Sequence, residues 1–274
     1  MNDPAHALAH FDARLNQLQG GLLQMWRQFL NVRRSVARLD ALDRLARAGR
    51  QPRMDLEFRA QFGEDVTAWE LLGKPLEGFF IEVGAFDGVS YSTTHALEAL
   101  GWTGLLVEPI PARAEACRKN RPHARVVHSA LAGPAAAPEA TFHVLEDEYG
   151  GMLSYAEGLS QGHHVEQVRA ANVRKASVRV PVTTLDRLLE GHAGPIDLVT
   201  IDVEGAELEL LAGFDLARFR PRVVFIEDST FGNNPALDAL MARGPYQVAG
   251  WVESSRVYVR ADEPDLVRRS REVL

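Results

Sequence analysis

The chain has a single cysteine, Cys117, among its 274 residues, so no internal disulfide can form. This is typical of proteins that work in a reducing compartment. No apolar run approaches the roughly 18 residues that a membrane-spanning helix requires, and no secretory signal pattern is visible. We therefore expect a cytoplasmic protein without a transmembrane segment.

Basic charge is scarce in most of the chain. Residues 1–60 contain ten Arg against six Asp and Glu, but the net charge of the whole chain is −7, which leaves −11 on the remainder. Such an acidic body argues against nucleic acid as a substrate. The hydrophobic content of 46% with 24% charged residues instead indicates a globular domain, and the length allows one large domain plus an appendage.

A dinucleotide-binding fingerprint is also missing. The run Phe79–Val83 leads into the turn Gly84-Ala85-Phe86-Asp87-Gly88, which lacks the middle glycine of G-x-G-x-x-G. Asp87 stands near the start of the expected helix, where it would repel a pyrophosphate but not a cofactor with sulfonium and ammonium groups. The turn therefore favours S-adenosylmethionine over NAD. An NAD-type oxidoreductase and a parallel sheet without a ligand are the alternatives at this point.

A second apolar run, Gly104–Val107, ends in Glu108 about 20 residues after the glycine turn. Strand, turn, helix, strand and acid follow one another as in a nucleotide-binding half-sheet, where the carboxylate accepts the ribose hydroxyls. A third strand end is expected at Ser129, which caps the strand or contacts the adenine. The predicted cofactor-binding residues are Glu82, Gly84, Ala85, Asp87, Gly88, Glu108, Pro109, Ser129 and Ala130.

Carboxylates also follow two later strands. Asp202 and Glu204 come directly after Leu198–Ile201, and Glu227 ends the next apolar run. Ligands of open α/β sheets bind at the carboxyl ends of the strands, so we predict that these three residues converge as the catalytic group. Crowded carboxylates share a proton, a cation or a substrate hydroxyl. We favour direct hydrogen bonding to a polyhydroxylated acceptor, with a general base and a Mg²⁺ site as the other options.

Several blocks of the sequence resemble the FkbM family of S-adenosylmethionine-dependent methyltransferases. They are Gln61–Asp65, Phe80–Gly88, Gly101–Pro109, Val180–Asp186 and Ile201–Glu207. The resemblance covers about residues 58–260. It implies an O-methyltransferase acting on a hydroxyl of a sugar, glycan or polyketide-like metabolite. A non-catalytic scaffold that keeps the fold is the other alternative.

Alternating strands and helices predict a doubly wound, mostly parallel sheet. By resemblance this is the seven-stranded, class I methyltransferase-like Rossmann fold, with an antiparallel hairpin at one edge. Seven strands are expected at 79–83, 104–108, 125–129, 197–202, 222–227, 246–252 and 256–260, and helices at 89–100, 111–120 and 205–212. This domain is placed at residues 56–274, with an acceptor-binding insertion at about 146–176 that contains His163 and His164.

Residues 1–55 are predicted to form a helical appendage with a coiled-coil heptad pattern. Apolar residues are spaced alternately three and four apart at Leu8, Phe11, Leu15, Leu18, Leu22, Met25, Phe29, Val32, Val36 and Leu39, which we call the seam. A lone helix cannot bury such a stripe, so we expect a homo-oligomer. The rivals are a helical hairpin broken at Gly20-Gly21, and docking on a membrane or another protein.

Overall fold

The structure, a computed structural model, describes residues 4–145, 154–160 and 174–274, with side chains from Arg14 onward. Its strands are β1 (Phe79–Val83), β2 (Thr103–Glu108), β3 (Ala124–His128), β4 (Ala130–Leu131), β5 (Glu139–Leu145), β6 (Tyr155–Ala156), β7 (Lys175–Thr183), β8 (Leu198–Ile201), β9 (Val223–Glu227), β10 (Tyr246–Val252) and β11 (Ser255–Arg260). Its helices are α1 (Pro4–Arg47), α2 (Glu64–Leu71), α3 (His95–Leu100), α4 (Pro111–Asn120), α5 (Leu185–Leu188), α6 (Glu207–Leu211), α7 (Leu216–Phe219), α8 (Pro235–Met241) and α9 (Pro264–Val273).

Seven strands form the main sheet, in the order β10-β11-β9-β8-β1-β2-β3. Only β11 runs against its neighbours, while the pairs β9–β8, β8–β1, β1–β2 and β2–β3 are parallel. The predicted doubly wound sheet and its edge hairpin are therefore confirmed. Central strands of such a sheet are covered on both faces, which is why β8 is an uninterrupted buried run.

The core lies in two layers, one on each face of the main sheet. Phe80 points into a layer that contains Trp69 and Trp102, and Ile81 points into the opposite layer with Val199. A second, smaller sheet in the order β4-β7-β5-β6 stands beside the carboxyl end of β3. Its two long strands, β5 and β7, pair as an antiparallel ladder.

Helix α1 is continuous over 44 residues, so the hairpin alternative at Gly20-Gly21 is wrong. Its second half docks on the body through Leu30, Ala37, Ala41 and Leu45, which are all buried. The described residues before Leu30, 14–29, are all exposed. The body thus includes part of the appendage in its core, and the domain boundary at residue 55 stays a prediction.

Two helical predictions differ from the structure. The helix expected from residue 89 begins only at His95, because the preceding segment is tied by its polar side chains to β1. Helices α8 and α9 were not predicted, although each carries a proline in its first turn, a position that proline favours. Within the described ranges, no helix is long and apolar enough to cross a membrane.

Candidate active site

A cleft of about 1250 Å³, including its open mouth, lies at the carboxyl ends of the central strands. The residues after β1, β2, β3 and β8 form its walls, and the small sheet and the segment before α2 close it. Seven of the nine predicted cofactor residues line it, and Glu82 is one of them. The other six are Gly84, Ala85, Glu108, Pro109, Ser129 and Ala130.

Gly84 directly follows β1 and lies against Asp202, the residue that directly follows β8. It has a φ of 86°, and a Cβ atom placed on it would lie 1.8 Å from the carbonyl oxygen of Asp202. Only glycine combines this backbone conformation with so close an approach. The turn is held further by the Gly84 and Ala85 amides, which both donate to the Val107 carbonyl, at 3.0 and 3.3 Å.

Replacing Gly84 by Ala is expected to lower the free energy of unfolding by about 3 kcal/mol or more, from left-handed strain plus overpacking. Gly191→Ala is the matched control, because Gly191 has a similar φ of 81° but no atom within 4 Å of the added Cβ. It should cost only about 1 kcal/mol of backbone strain. Urea denaturation of both variants measures the difference, and equal losses would contradict the close approach.

Asp87 and Gly88 shape the turn instead of lining the cleft. Asp87 Oδ1 accepts the amides of Val89 and Ser90 at 2.8 and 2.7 Å, as a capping aspartate does. A Cβ on Gly88 would lie 2.8 Å from the Arg121 side chain. Their predicted contact with the cofactor stays a prediction, and their observed contacts are internal.

The Glu82 carboxylate, also predicted to touch the cofactor, is largely satisfied by protein donors. It accepts hydrogen bonds from Ser92 Oγ at 2.9 Å, from the Thr93 amide at 2.8 Å and from Thr94 Oγ1. Arg121, which is fully buried, places Nη1 3.4 Å from Glu82 Oε2. The Glu82 side chain therefore anchors the segment after the glycine turn to β1. Glu82 also lines the cleft, although its carboxylate is engaged by these protein donors.

Glu108 is 3% exposed and lies at the end of β2. Its Oε2 accepts the Phe86 amide at 2.9 Å, and its Oε1 accepts the Ile110 amide at 2.8 Å. Each oxygen keeps a second acceptor position. Burial raises the pKa of Glu108 to about 7, against the lowering effect of the two amides and of Arg113.

At the third strand end, Ser129 Oγ lies 2.9 Å from the Pro181 carbonyl oxygen. The same hydroxyl lies 2.8 Å from the Ala130 carbonyl oxygen, so its single proton goes to one of two backbone carbonyls and toward the cleft it can act only as an acceptor. The neighbouring Pro109 carbonyl lies 2.9 Å from His128 Nε2. Both predicted Ser129 roles, strand-end cap and cleft residue, are compatible with this geometry.

Two of the predicted catalytic residues, Asp202 and Glu204, line the cleft, and Glu227 interacts with both of them from the end of β9. Asp202 and Glu227, at the ends of adjacent strands, share a side-chain hydrogen bond. Asp202 is open to the water of the cleft but enclosed by protein elsewhere. Burial is the main cause that raises the pKa of both carboxyls well above their usual range. Repulsion between carboxylates adds to it, from Glu204 on Asp202 and from Asp202 and Glu204 on Glu227. The pair thus retains at least one shared proton near neutral pH.

Two further carboxylates near this pair were missed as site residues from the sequence. Glu207 Oε1 accepts the amides of Val203 and Gly205, at 3.2 and 3.1 Å, and so holds the turn after β8. Glu64, the first residue of α2, lines the cleft and accepts the Phe62 amide at 2.8 Å. Burial raises the pKa of Glu64 to about 7. Its block carries the family resemblance, but no pattern in it marks a site.

The insertion predicted at 146–176 lies mostly outside the described residues, and so do His163 and His164. Its described part, residues 154–160, contributes Ser154, Ala156 and Leu159 to the cleft wall. No group of three or more His, Cys, Asp or Glu in the described ranges is arranged to hold a metal ion. The structure thus gives the Mg²⁺ option no support.

Raised pKa values make stability depend on pH in a defined direction. The carboxyls concerned are Glu64, Glu108, Asp202, Glu207 and Glu227. Each stays protonated in the fold over a range where the unfolded chain, with pKa values near 4, has lost the proton. Their stabilising effect is complete below about pH 4 and is lost as pH rises through the folded values.

We therefore expect the Tm of the ligand-free protein to fall between pH 6 and pH 8. The pKa of Asp40 is lowered, so its contribution to stability changes only below about pH 4 and does not oppose the fall of Tm between pH 6 and pH 8. Differential scanning calorimetry at constant ionic strength measures it, with the double variant Asp202→Asn, Glu227→Gln as the control that flattens the slope. A Tm that rises over this interval would contradict the raised values.

Comparison with known families gives a match to the Methyltransferase FkbM domain over residues 82–248. The chain belongs to this family. The matched range includes the glycine turn, Glu108 and the Asp202–Glu227 pair, and it confirms the resemblance drawn from the sequence. Comparison with curated proteins gives no match.

Comparison with solved structures gives weak similarities that include three methyltransferases. The METTL16 MTase domain is 14% identical, with 76% of this chain and 69% of that chain covered and a TM-score of 0.39. An O-methyltransferase from Bacillus cereus in complex with SAH is 13% identical, with 82% and 89% covered and a TM-score of 0.36. The human methyltransferase 10 domain containing protein is 14% identical, with 71% and 78% covered and a TM-score of 0.36.

Proposed function

We propose that this FkbM-family protein is an S-adenosylmethionine-dependent O-methyltransferase. Its acceptor would be a hydroxyl of a sugar, glycan or polyketide-like metabolite, in the cytoplasm. The observation that carries the proposal is the content of one cleft, which is lined by Glu108, a carboxylate of the ribose-binding type, and by Asp202, which is hydrogen-bonded to Glu227.

The part of the cleft that is lined by Gly84, Glu108 and Ser129 fits the cofactor. Gly84 lets the turn after β1 approach the Asp202 backbone closely, which brings together the two strand ends that line the cleft. Glu108 offers one free acceptor position on each oxygen for the two ribose hydroxyls, and Ser129 offers an acceptor toward the adenine. The negative floor formed by Asp202 and Glu204 suits a sulfonium and an ammonium group.

The part of the cleft that is lined by Asp202 and Glu64 fits a hydroxylated acceptor. The cofactor supplies an activated methyl group, so the protein has to position the acceptor oxygen and remove its proton. In its ionised form, the Asp202 carboxylate would accept the proton that the acceptor oxygen loses on methylation. Glu227 donates its hydrogen bond to Asp202 beforehand, and Glu64 offers a further acceptor for another hydroxyl.

The test is transfer of a labelled methyl group from S-adenosylmethionine to a panel of sugars, glycans and small alcohols, with matched amines as the control class. Methylated alcohols and unmodified amines would support the proposal. Calorimetry with S-adenosylhomocysteine and NAD addresses the alternatives. Binding of NAD alone would favour an oxidoreductase, and binding of neither a non-catalytic scaffold.

A further inference from the structure

Helix α1 presents an unpartnered apolar face along the seam. Eight seam residues are described, and each is between 45% and 67% exposed: Leu15, Leu18, Leu22, Met25, Phe29, Val32, Val36 and Leu39. Trp26 flanks them at 43% exposure and packs its ring 5.8 Å from that of Phe29. From these observations we infer that the seam pairs with the seam of a second copy of this chain.

The helix needs a partner to persist in water. The described residues before Leu30 make no buried contact, and Gly20 and Gly21 each cost about 1 kcal/mol in a helix interior. A helix of this length with two central glycines is marginal without packing of its apolar face. The docked half beyond Leu30 does not cover that face, since its buried residues are on the opposite side.

The spacing of the seam selects another helix as the partner. A strict alternation of three and four residues has a period of 3.5, and it drifts by about 20° per heptad around a straight helix. Over the full seam this amounts to roughly 90°. A flat surface cannot follow such a rotation, whereas a second helix supercoiled around the first keeps contact throughout.

Charge argues against a membrane as the occupant. Helices that lie on membranes carry many Lys and Arg on the polar face. Between Leu15 and Val32 this chain has one charged residue, Arg27, and its polar positions are Asn and Gln. These uncharged flanks suit a helix pair and give little attraction to anionic lipid.

Area and geometry fit two copies. Eight seam side chains that each expose roughly 100 Å² would bury ~800 Å² per chain, the size of a standard interface. The face that docks on the body, with Leu30, Ala37 and Ala41, lies opposite the seam in the heptad. Two helices can therefore pair along the seam while the bodies lie on the outer sides.

The experiment compares two double variants of the full chain. Leu22→Asp with Phe29→Asp charges the seam, and Gln17→Asp with Gln24→Asp adds the same charge at the same spacing on the outer face. All four positions are exposed and outside the docked half, so the body should fold in both variants. Calorimetric S-adenosylhomocysteine binding and Tm of the body check this independently of the oligomeric state.

Light scattering at micromolar concentration should give twice the chain mass of 30.3 kDa for the wild-type protein and the control variant. It should give one chain mass for the seam variant, with lower helicity by circular dichroism. A monomeric wild-type protein, a mass above two chains, or a seam variant that keeps the wild-type mass would each overturn the inference. A wild-type monomer that floats with phosphatidylserine vesicles would assign the seam to a membrane instead.

Discussion

Replacing Asp202 by Asn should lower kcat about 10²- to 10⁴-fold while leaving the affinity for S-adenosylhomocysteine within a few-fold of wild type. The amide keeps the shape and one acceptor oxygen but cannot take the proton of the acceptor hydroxyl. Steady-state transfer of labelled methyl measures kcat, and calorimetry measures cofactor affinity. A loss in both quantities to the same extent would instead place Asp202 in cofactor binding.

Glu227→Gln should have an effect of the same size, because the pair shares one proton and acts as a unit. The double variant should then be scarcely worse than either single one, as expected for residues that act together. Glu190→Gln is the matched control, since Glu190 is an exposed carboxylate of the same domain that does not line the cleft. Near-normal turnover in both single variants would make these carboxylates structural.

The contact between Asp202 and Glu227 illustrates what the sequence can predict. Each follows a short, fully apolar run, and such runs are typical of buried parallel strands. Once the strand order is known, adjacent carboxyl ends bring the two side chains together without any knowledge of their rotamers. Their sharing of a proton follows from the repulsion between two carboxylates placed side by side.

Asp87 and Glu64 illustrate what the sequence cannot predict. A short acid beside a glycine can face a ligand or cap its own backbone, and only the tertiary path of the turn decides between the two. Glu64 reaches the cleft because α2 is held against the sheet by distant contacts, among them the ion pair of Glu70 with Arg33 at 2.8 Å. No local pattern carries that information.

Helix α1 shows the same division within one element. Its seam is regular enough to be recognised from spacing alone, and it is the face that finds no partner within the described chain. The docked face contains Ala37 and Ala41, whose small side chains give a weak apolar signal, although they pack in the main core. A boundary drawn at residue 55 from the sequence therefore separates a helix from the body it helps to build.

Glu108→Ala should weaken S-adenosylhomocysteine binding about 10- to 1000-fold, because two hydrogen bonds from ribose hydroxyls to a buried carboxylate are lost. The Phe86 and Ile110 amides also lose their acceptor, so part of the loss reflects the turn itself. A 2′,3′-dideoxy analogue of the ligand separates the two effects. The wild-type protein should discriminate against it, and the variant should bind both ligands equally.

The pH dependence of binding gives a second measure of the same contact. Ribose hydroxyls donate to the ionised carboxylate, and the pKa of Glu108 is raised by burial to about 7 in the ligand-free protein. Affinity should therefore fall as pH decreases from 8 to 6, with proton release on binding near pH 7. Glu108→Gln is the control, since it cannot titrate and should remove this part of the slope. A variant that keeps the wild-type slope and still discriminates against the dideoxy analogue would contradict ribose binding by Glu108.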